Sequence, residues 1–223
     1  MADQAFVGYL MNWLSENNDM GRAYSVANVL DAKFNRLELE GKWRDAIGCP
    51  ELTGTWFVQG DIKNGKSSLT FQMTKYLTRF ERVGYNFVEE GLSATVQDLY
   101  HRENMREVAG RFILIDKESP EELYERLKKH KSPNIVVIDT IQFWEFKFSD
   151  YKQFKHEFNK KLFIYVSHME GKKPAGAVAQ KIWRDANVAF VVEGFKGFPT
   201  SRYGGGEPVI INQDLADAYW GLG

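Results

Sequence analysis

Short apolar runs alternate with amphipathic segments from residue 54 onward. The runs predict strands, and the segments between the earlier ones carry apolar residues at helical spacing, which predicts helices. Ile135–Ile138 is apolar without interruption, which is typical of a strand buried on both faces. We therefore expect an α/β domain with a mostly parallel sheet between helices and antiparallel strands at its C-terminal edge. The predicted strands are 55–58, 85–88, 111–115, 134–138, 161–166, 188–192 and 208–211, and the predicted helices are 67–80, 93–108, 120–130 and 150–159.

The first 47 residues have a different pattern, which predicts a helical N-terminal extension (1–47) before the α/β domain (48–223). Two amphipathic helices are expected, the second with Ser25 as a candidate N-cap. The sequence leaves open whether they pack on their own domain or on a neighbouring subunit. Their apolar positions are Phe6, Leu10, Trp13 and Leu14 in the first, and Val26, Leu30, Phe34 and Leu37 in the second.

A glycine-rich loop joins the first strand of the α/β domain to its first helix. Residues 60–67 match the pattern G-x-x-x-x-G-K-[ST], in which backbone N–H groups and the helix N-terminus hold phosphates. Lys66 is expected to reach the β- and γ-phosphates, and the Ser67 hydroxyl to ligate Mg²⁺. The alternative is a chance glycine-rich turn, against which the flanking strand and helix argue. The predicted phosphate-binding residues are Gly60, Asp61, Ile62, Lys63, Asn64, Gly65, Lys66, Ser67 and Ser68.

Carboxylates follow two of the other predicted strands. Asp139 ends the run Ile135–Ile138, where a second Mg²⁺ ligand is expected, although an ordinary acidic strand end has the same appearance. Glu89 and Glu90 follow the strand after the phosphate loop, and one of them could polarise an attacking water. We favour Glu89, with Glu90 as the second candidate and a solvated acidic turn as the alternative.

Composition narrows the setting of this chemistry. With 223 residues and a net charge of −1, the chain suits one main domain and does not advertise nucleic-acid binding through its overall charge. The single cysteine, Cys49, excludes an intrachain disulfide. No apolar run approaches the length of a membrane span, so we expect a soluble cytoplasmic protein with no membrane contact.

Between residues 52 and 212 the chain resembles the RecA-like P-loop ATPases. It is most similar in pattern to the motor domains of DnaB helicases and to RadA/Sms and KaiC-type proteins. The resemblance implies ATP as the nucleotide, hydrolysis as the reaction and an oligomeric assembly. The matching segments are Val137–Gln142 (the Walker B extension), Phe87–Glu90 with Thr95–Leu99, Ile164–His168 with Gly171 and Pro174–Gly176, and Ser201–Gly204.

The last segment implies that Arg202 reaches the γ-phosphate of a neighbouring subunit. The family's pattern places a lysine two residues earlier, where this chain has Thr200. Either Lys196 substitutes for it or inter-subunit activation is weaker. The alternative for Arg202 is a solvated arginine on a hairpin, because the composition of residues 199–206 predicts a glycine-rich hairpin turn before an edge strand.

The resemblance also implies a γ-phosphate sensor and a DNA-facing surface. His168 follows the fifth strand and could be the sensor, or an ordinary structural histidine. Loops after the fourth and fifth strands are the candidates for single-stranded DNA, through Trp144 and Lys147 in the first and Lys172 and Lys173 in the second.

These observations predict a helicase-like ATPase of DNA replication or recombination, of the stand-alone type found in phages and mobile elements. Two alternatives stay open. One is an ATP-dependent switch or loader that contacts proteins, and the other is a small-molecule kinase, which lacks an obvious arginine-bearing lid.

Overall fold

The computed structural model describes residues 23–221, and the chain divides into two compact units, Met1–Phe34 and Asn35–Gly223. In the first unit, helix α1 (Val26–Leu30) begins after Ser25, whose Oγ accepts a hydrogen bond from Asn28 N at 3.2 Å. The predicted cap is therefore present, but the helix ends well before Leu37. The helix predicted around Phe6 to Leu14 lies outside the described residues.

The second unit includes residues 35–47, which the sequence analysis had grouped with the extension. Leu37, Leu39 and Trp43 are buried in the same core as the sheet, and Trp43 lies on helix α2 (Gly41–Ile47). These side chains need apolar neighbours, which the larger unit supplies.

A single sheet runs through this unit in the order β3-β2-β4-β5-β1-β7-β8-β9, and β6 pairs with β5. The six strands from β3 to β7 are parallel, whereas β8 and β9 are antiparallel, as predicted for the C-terminal edge. The strands are β1 (Gly54–Gly60), β2 (Val83–Phe87), β3 (Phe112–Asp116), β4 (Ile135–Asp139), β5 (Leu162–Glu170), β6 (Lys173–Pro174), β7 (Val188–Glu193), β8 (Lys196–Ser201) and β9 (Val209–Ile210).

Helices cover both faces of the sheet because successive strand residues point to opposite sides. Trp56 and Val58 belong to the core that holds α2, α3 and α4, while Phe57 faces α5, α6 and α7. The helices after α2 are α3 (Lys66–Leu77), α4 (Ala94–Arg102), α5 (Pro120–Lys128), α6 (Phe148–Glu157), α7 (Ala177–Asp185) and α8 (Gln213–Trp220), with 3₁₀ turns at Met105–Val108 and Ile141–Phe143.

The C-terminal part differs most from the sequence-based prediction. Helices α7 and α8 and strand β8 were not predicted, and residues 199–201 belong to β8 rather than to a hairpin turn. The chain turns earlier, at Gly194 and Phe195, both with positive φ (51° and 58°). Phenylalanine rarely adopts this conformation, so no local pattern marks the turn.

No helix within residues 23–221 is long and apolar enough to cross a membrane.

Candidate functional site

The phosphate loop connects β1 to α3 and leaves the start of α3 uncapped. Gly65 is the N-cap, with φ of 98°, and no side chain bonds to the first turn. By contrast, α4, α5 and α8 are capped by the side chains of Ser93, Ser119 and Asn212. The first-turn N–H groups of α3 are thus available to an anion, and the helix dipole favours one there.

Lys66 is the first residue of α3, and its side chain points back over the loop. It is 8% exposed, and its Nζ donates a hydrogen bond to Asp61 O at 2.9 Å. Burial lowers the pKa of Lys66, while the charges of Asp139, Asp61 and Glu89 raise it. A partly desolvated cation in this place attracts phosphate more strongly than a solvated one does.

Asp139 ends β4 at the same edge of the sheet. Tyr85 on the neighbouring β2 donates its hydroxyl hydrogen to Asp139 Oδ2 at 2.6 Å. Burial raises the pKa of Asp139 to about 6, although the Tyr85 hydrogen bond and the charge of Lys66 lower it. Tyr85 therefore orients this carboxylate and favours its ionised form.

One cleft of about 540 Å³ is lined by Lys66 and Ser67 from the loop, Asp139 from β4 and Glu89 from the turn after β2. A hydroxyl and a carboxylate are oxygen ligands of the kind that Mg²⁺ prefers, and Mg²⁺ usually takes few protein ligands beside substrate phosphates. The donor set therefore fits a magnesium nucleotide.

The two adjacent glutamates point to different neighbours. Glu89 Oε2 accepts a hydrogen bond from Thr140 Oγ1 at 3.3 Å and lies 3.4 Å from His168 Nε2. Glu90 Oε2 accepts a hydrogen bond from Thr95 Oγ1 at 2.6 Å, at the start of α4. Glu89 is thus held between the ends of β4 and β5, whereas Glu90 is tied to the helix that follows it.

His168 lies within β5 rather than beyond it, because β5 continues to Glu170. Its backbone is paired with Gly60, the first residue of the phosphate loop. Its Nδ1 is buried and has no hydrogen-bond partner in the part of the chain that the structure describes. His168 therefore belongs to the cleft through its contact with Glu89.

Gln142 was quoted in a motif but not assigned a role, and it connects three segments of this region. Its Nε2 donates to Ser167 Oγ at 2.7 Å and to Ala175 O at 2.9 Å, and its Oε1 accepts from His168 N at 3.1 Å. The end of β4 is thereby linked to β5 and to the β5–β6 hairpin.

The C-terminal segments brace the phosphate loop, which the sequence did not indicate. Asn64 Oδ1 accepts a hydrogen bond from Gly194 N at 2.8 Å, and Asn64 O accepts one from Phe195 N at 3.2 Å. Trp220 Nε1 on α8 in turn donates to Gly194 O at 3.1 Å. The turn between β7 and β8 and the last helix thus fix the loop from one side.

A second cavity of about 470 Å³ shares Lys63, Lys66 and Ser67 with the cleft and extends to the other side of the loop. Arg102, at the end of α4, lies in its wall and donates from Nη2 to Ser68 Oγ at 3.1 Å. Its apolar wall consists of Phe195, Ile211 and Leu215.

Arg202 lies at the opposite edge of the sheet from the phosphate loop. Strand β8 runs antiparallel to β7, and its last residue, Ser201, pairs with Val188 at the amino end of β7. Because the loop lies at the carboxyl end of β1, roughly 20 Å along a seven-residue strand, Arg202 does not reach the cleft of its own chain. Lys196 begins β8 at the far end and therefore does not take the lysine's place near Thr200.

One of the predicted DNA contacts is wrong. Trp144 is 3% exposed, stacks on Phe146 and donates its Nε1 hydrogen to Glu118 O at 3.0 Å, so its ring is not available to a base. Lys147 is exposed, and Lys172 and Lys173 are exposed on the β5–β6 hairpin. Only the lysines of the predicted set thus remain accessible.

Comparisons with known proteins agree on the fold. The flagellar accessory protein FlaH of Methanocaldococcus jannaschii matches 80% of this chain and 97% of its own, with a TM-score of 0.55 and 17% identity. The RadB recombinase matches 75% of this chain and 90% of its own (TM-score 0.53, 17% identity). An ATPase domain of the DnaB type matches 74% and 83%, respectively (TM-score 0.53, 14% identity).

No family model and no curated protein matches the sequence. The structural matches nevertheless show that the chain has the RecA-like ATPase fold, which confirms the predicted fold class.

Proposed function

We propose that the chain is a Mg²⁺-dependent ATPase that works as an assembly of copies. The observation that carries the proposal is the convergence of Lys66, Ser67, Asp139 and Glu89 in one cleft, from a loop and two strand ends that are distant in sequence. A phosphate-binding cation, two oxygen ligands and a carboxylate base are the groups that phosphoanhydride hydrolysis requires.

Each group has a distinct part in binding. The first-turn N–H groups of α3 and the Lys66 ammonium hold the β- and γ-phosphates, and Ser67 Oγ and the Asp139 carboxylate hold Mg²⁺. Bound there, Mg²⁺ supplies positive charge to the phosphate oxygens. Tyr85 orients Asp139 through its hydrogen bond.

Glu89 is the group we assign to water activation. The contacts from Thr140 and His168 are both to Oε2, and Oε1 has no hydrogen-bond partner within residues 23–221. A water held by Oε1 attacks the γ-phosphorus, the bond to the β–γ bridging oxygen breaks, and the proton of the water passes to Glu89. Since Glu90 Oε2 is bonded to Thr95, it is the weaker candidate.

The nucleoside takes the second cavity in this proposal. Its wall combines the planar guanidinium of Arg102 with the apolar side chains of Phe195, Ile211 and Leu215. A guanidinium and apolar groups suit the flat face of a base, and Lys66 and Ser67 border both cavities. The choice of adenine rests on the sequence resemblance.

We further infer that copies assemble head to tail, so that Arg202 of one copy meets the γ-phosphate bound by the next. The position of Arg202 at the edge opposite its own cleft supports this arrangement. Single-stranded DNA is the partner we assign to the exposed Lys172 and Lys173, because Gln142 links their hairpin to His168. The role is then in replication or recombination, with a phage or mobile element as the expected setting.

ATP turnover measured across a protein-concentration series, with and without single-stranded DNA, tests this function. We expect specific activity to rise cooperatively with concentration and to increase again with DNA. Turnover that depends on concentration but not on DNA would support the alternative of a switch that contacts proteins. Absence of Mg²⁺-dependent turnover at every concentration would refute the ATPase assignment.

The DNA contact is tested separately by the variant Lys172→Ala/Lys173→Ala. We expect weaker binding to single-stranded DNA and a slope of log affinity against log salt that is smaller by about 1 to 2, because each phosphate contact contributes about 0.7. An unchanged slope would remove the hairpin from the DNA interface. The matched control is Lys152→Ala/Lys160→Ala, which removes two exposed lysines elsewhere on the domain.

A further inference from the structure

A second arginine lies beside Arg202 at the amino edge of the sheet. Helix α7 ends at Asp185, just before β7 begins at Val188, and Val188 pairs with Ser201. This connection brings Arg184, in the last turn of α7, next to the end of β8. Arg184 and Arg202 line the same cavity of about 320 Å³.

Both guanidinium groups are exposed, and neither forms an ion pair with any residue between 23 and 221. The nearby carboxylate of Asp185 is engaged by Lys155 Nζ at 2.6 Å and by the Tyr151 hydroxyl. Burial alone would raise the pKa of Asp185, but these two hydrogen bonds and the charges of Lys155 and Arg202 lower it. Asp185 therefore neutralises Arg202 only in part and remains bonded elsewhere.

The backbone around this cavity is fixed. Arg202 N donates to Asn187 O at 3.0 Å, and Ser201 Oγ donates to Ile47 O at 2.9 Å. The two cations are thus held at one place rather than carried on a free loop. Their mutual repulsion is relieved by an anion in the cavity, and a guanidinium pair matches the several oxygens of a phosphate.

We propose that Arg184 is a second catalytic arginine, which acts with Arg202 on the terminal phosphate of the nucleotide bound by the next copy. Thr200 lines the same cavity and carries no charge, so Arg184 supplies the positive charge that β8 lacks. This inference rests on the proposed head-to-tail ATPase. It differs from that function in placing the second cation on α7.

The test compares Arg184→Ala, Arg202→Ala and the double variant at a concentration where the full chain is assembled. We expect Arg184→Ala to lower kcat about 100-fold, the lower end for loss of one donor to developing charge, with unchanged nucleotide affinity in dilute, isolated copies. Lys181→Ala removes a cation one turn earlier on the same helix, outside the cavity, and serves as the matched control.

Mixing identifies the subunit that provides the arginine. Copies with Lys66→Ala lack nucleotide binding but keep both arginines, so adding them to Arg184→Ala copies should restore turnover. Failure to restore it, while the same mixing rescues Arg202→Ala, would overturn the inference.

The remaining outcomes separate this inference from the proposed function. If Arg202→Ala lowers kcat and Arg184→Ala behaves like Lys181→Ala, only the inference fails. If neither arginine matters while Lys66→Ala removes turnover, the head-to-tail site itself fails. A lower melting temperature with unchanged kcat would mean that Arg184 only stabilises the C-terminus of α7, and Arg184→Lys, which keeps the charge there, checks this.

Discussion

The two edges of the parallel sheet differ in how completely their charged groups are paired. At the carboxyl edge, Lys66, Asp139 and Glu89 contact one another or nearby backbone and hydroxyl groups. At the amino edge, Arg184 and Arg202 face a shared cavity without an ion-pair partner among the described residues. One edge is organised around an internal set of contacts, and the other presents charge outward.

This difference teaches that the chemistry is divided between two surfaces. The strands fix the separation of the edges, and roughly 20 Å is too far for any arginine side chain to cross. A head-to-tail contact between copies brings one carboxyl edge against one amino edge, and repetition of such a contact produces a ring or a filament. Substitutions at each edge should therefore have separable effects on binding and turnover.

The largest effect is expected for Lys66→Ala at the carboxyl edge. Loss of the buried cation removes the main positive charge opposite the phosphates, so turnover should fall at least ~1,000-fold. Binding of a fluorescent ATP analogue and phosphate release measure this. Lys160→Ala, on an exposed turn, is the control, and wild-type binding by Lys66→Ala would remove the phosphate loop from the site.

Arg202→Ala tests the amino edge and should lower turnover of the assembled protein by about 1,000-fold, the lower end for an arginine supplied from a neighbour. Nucleotide affinity in dilute, isolated copies should not change, because Arg202 is distant from its own cleft. Equilibrium titration and turnover on the same preparations separate the two quantities. A loss of affinity in isolated copies would contradict the separation of the edges.

Glu89→Gln should slow hydrolysis at least ~100-fold while ATP stays bound, since the amide keeps the shape but cannot accept the proton. Glu90→Gln is the matched variant, because its side chain is adjacent but bonded to Thr95. Single-turnover hydrolysis measures both. A slower Glu90→Gln than Glu89→Gln would exchange the two assignments.

Tyr85→Phe should have the smallest effect, raising the Mg²⁺ concentration for half-maximal turnover by about 10-fold through loss of the hydrogen bond to Asp139. Tyr100→Phe is the control, because the Tyr100 hydroxyl is also buried but has no partner among the described residues. Equal Mg²⁺ dependence of both variants would remove Tyr85 from the site.

The carboxyl edge was more predictable than the amino edge. Its groups follow apolar strands or occupy a spaced loop, and these are local patterns that a sequence displays directly. Tyr85 and the Gly194–Phe195 turn were missed, because a strand aromatic and a phenylalanine at positive φ carry no such signal. Trp144 was misassigned, because an aromatic in a loop has the same appearance whether its ring is buried or exposed.

The sequence by itself determined the α/β class, most of the parallel strands and the phosphate loop, because hydrophobic periodicity and glycine placement act over a few residues. Only the tertiary structure decided which of the two glutamates lies beside His168, that α8 braces the loop, and that Arg184 stands beside Arg202. These relations join residues far apart in the chain. They depend on strand order and helix packing, which no local pattern encodes.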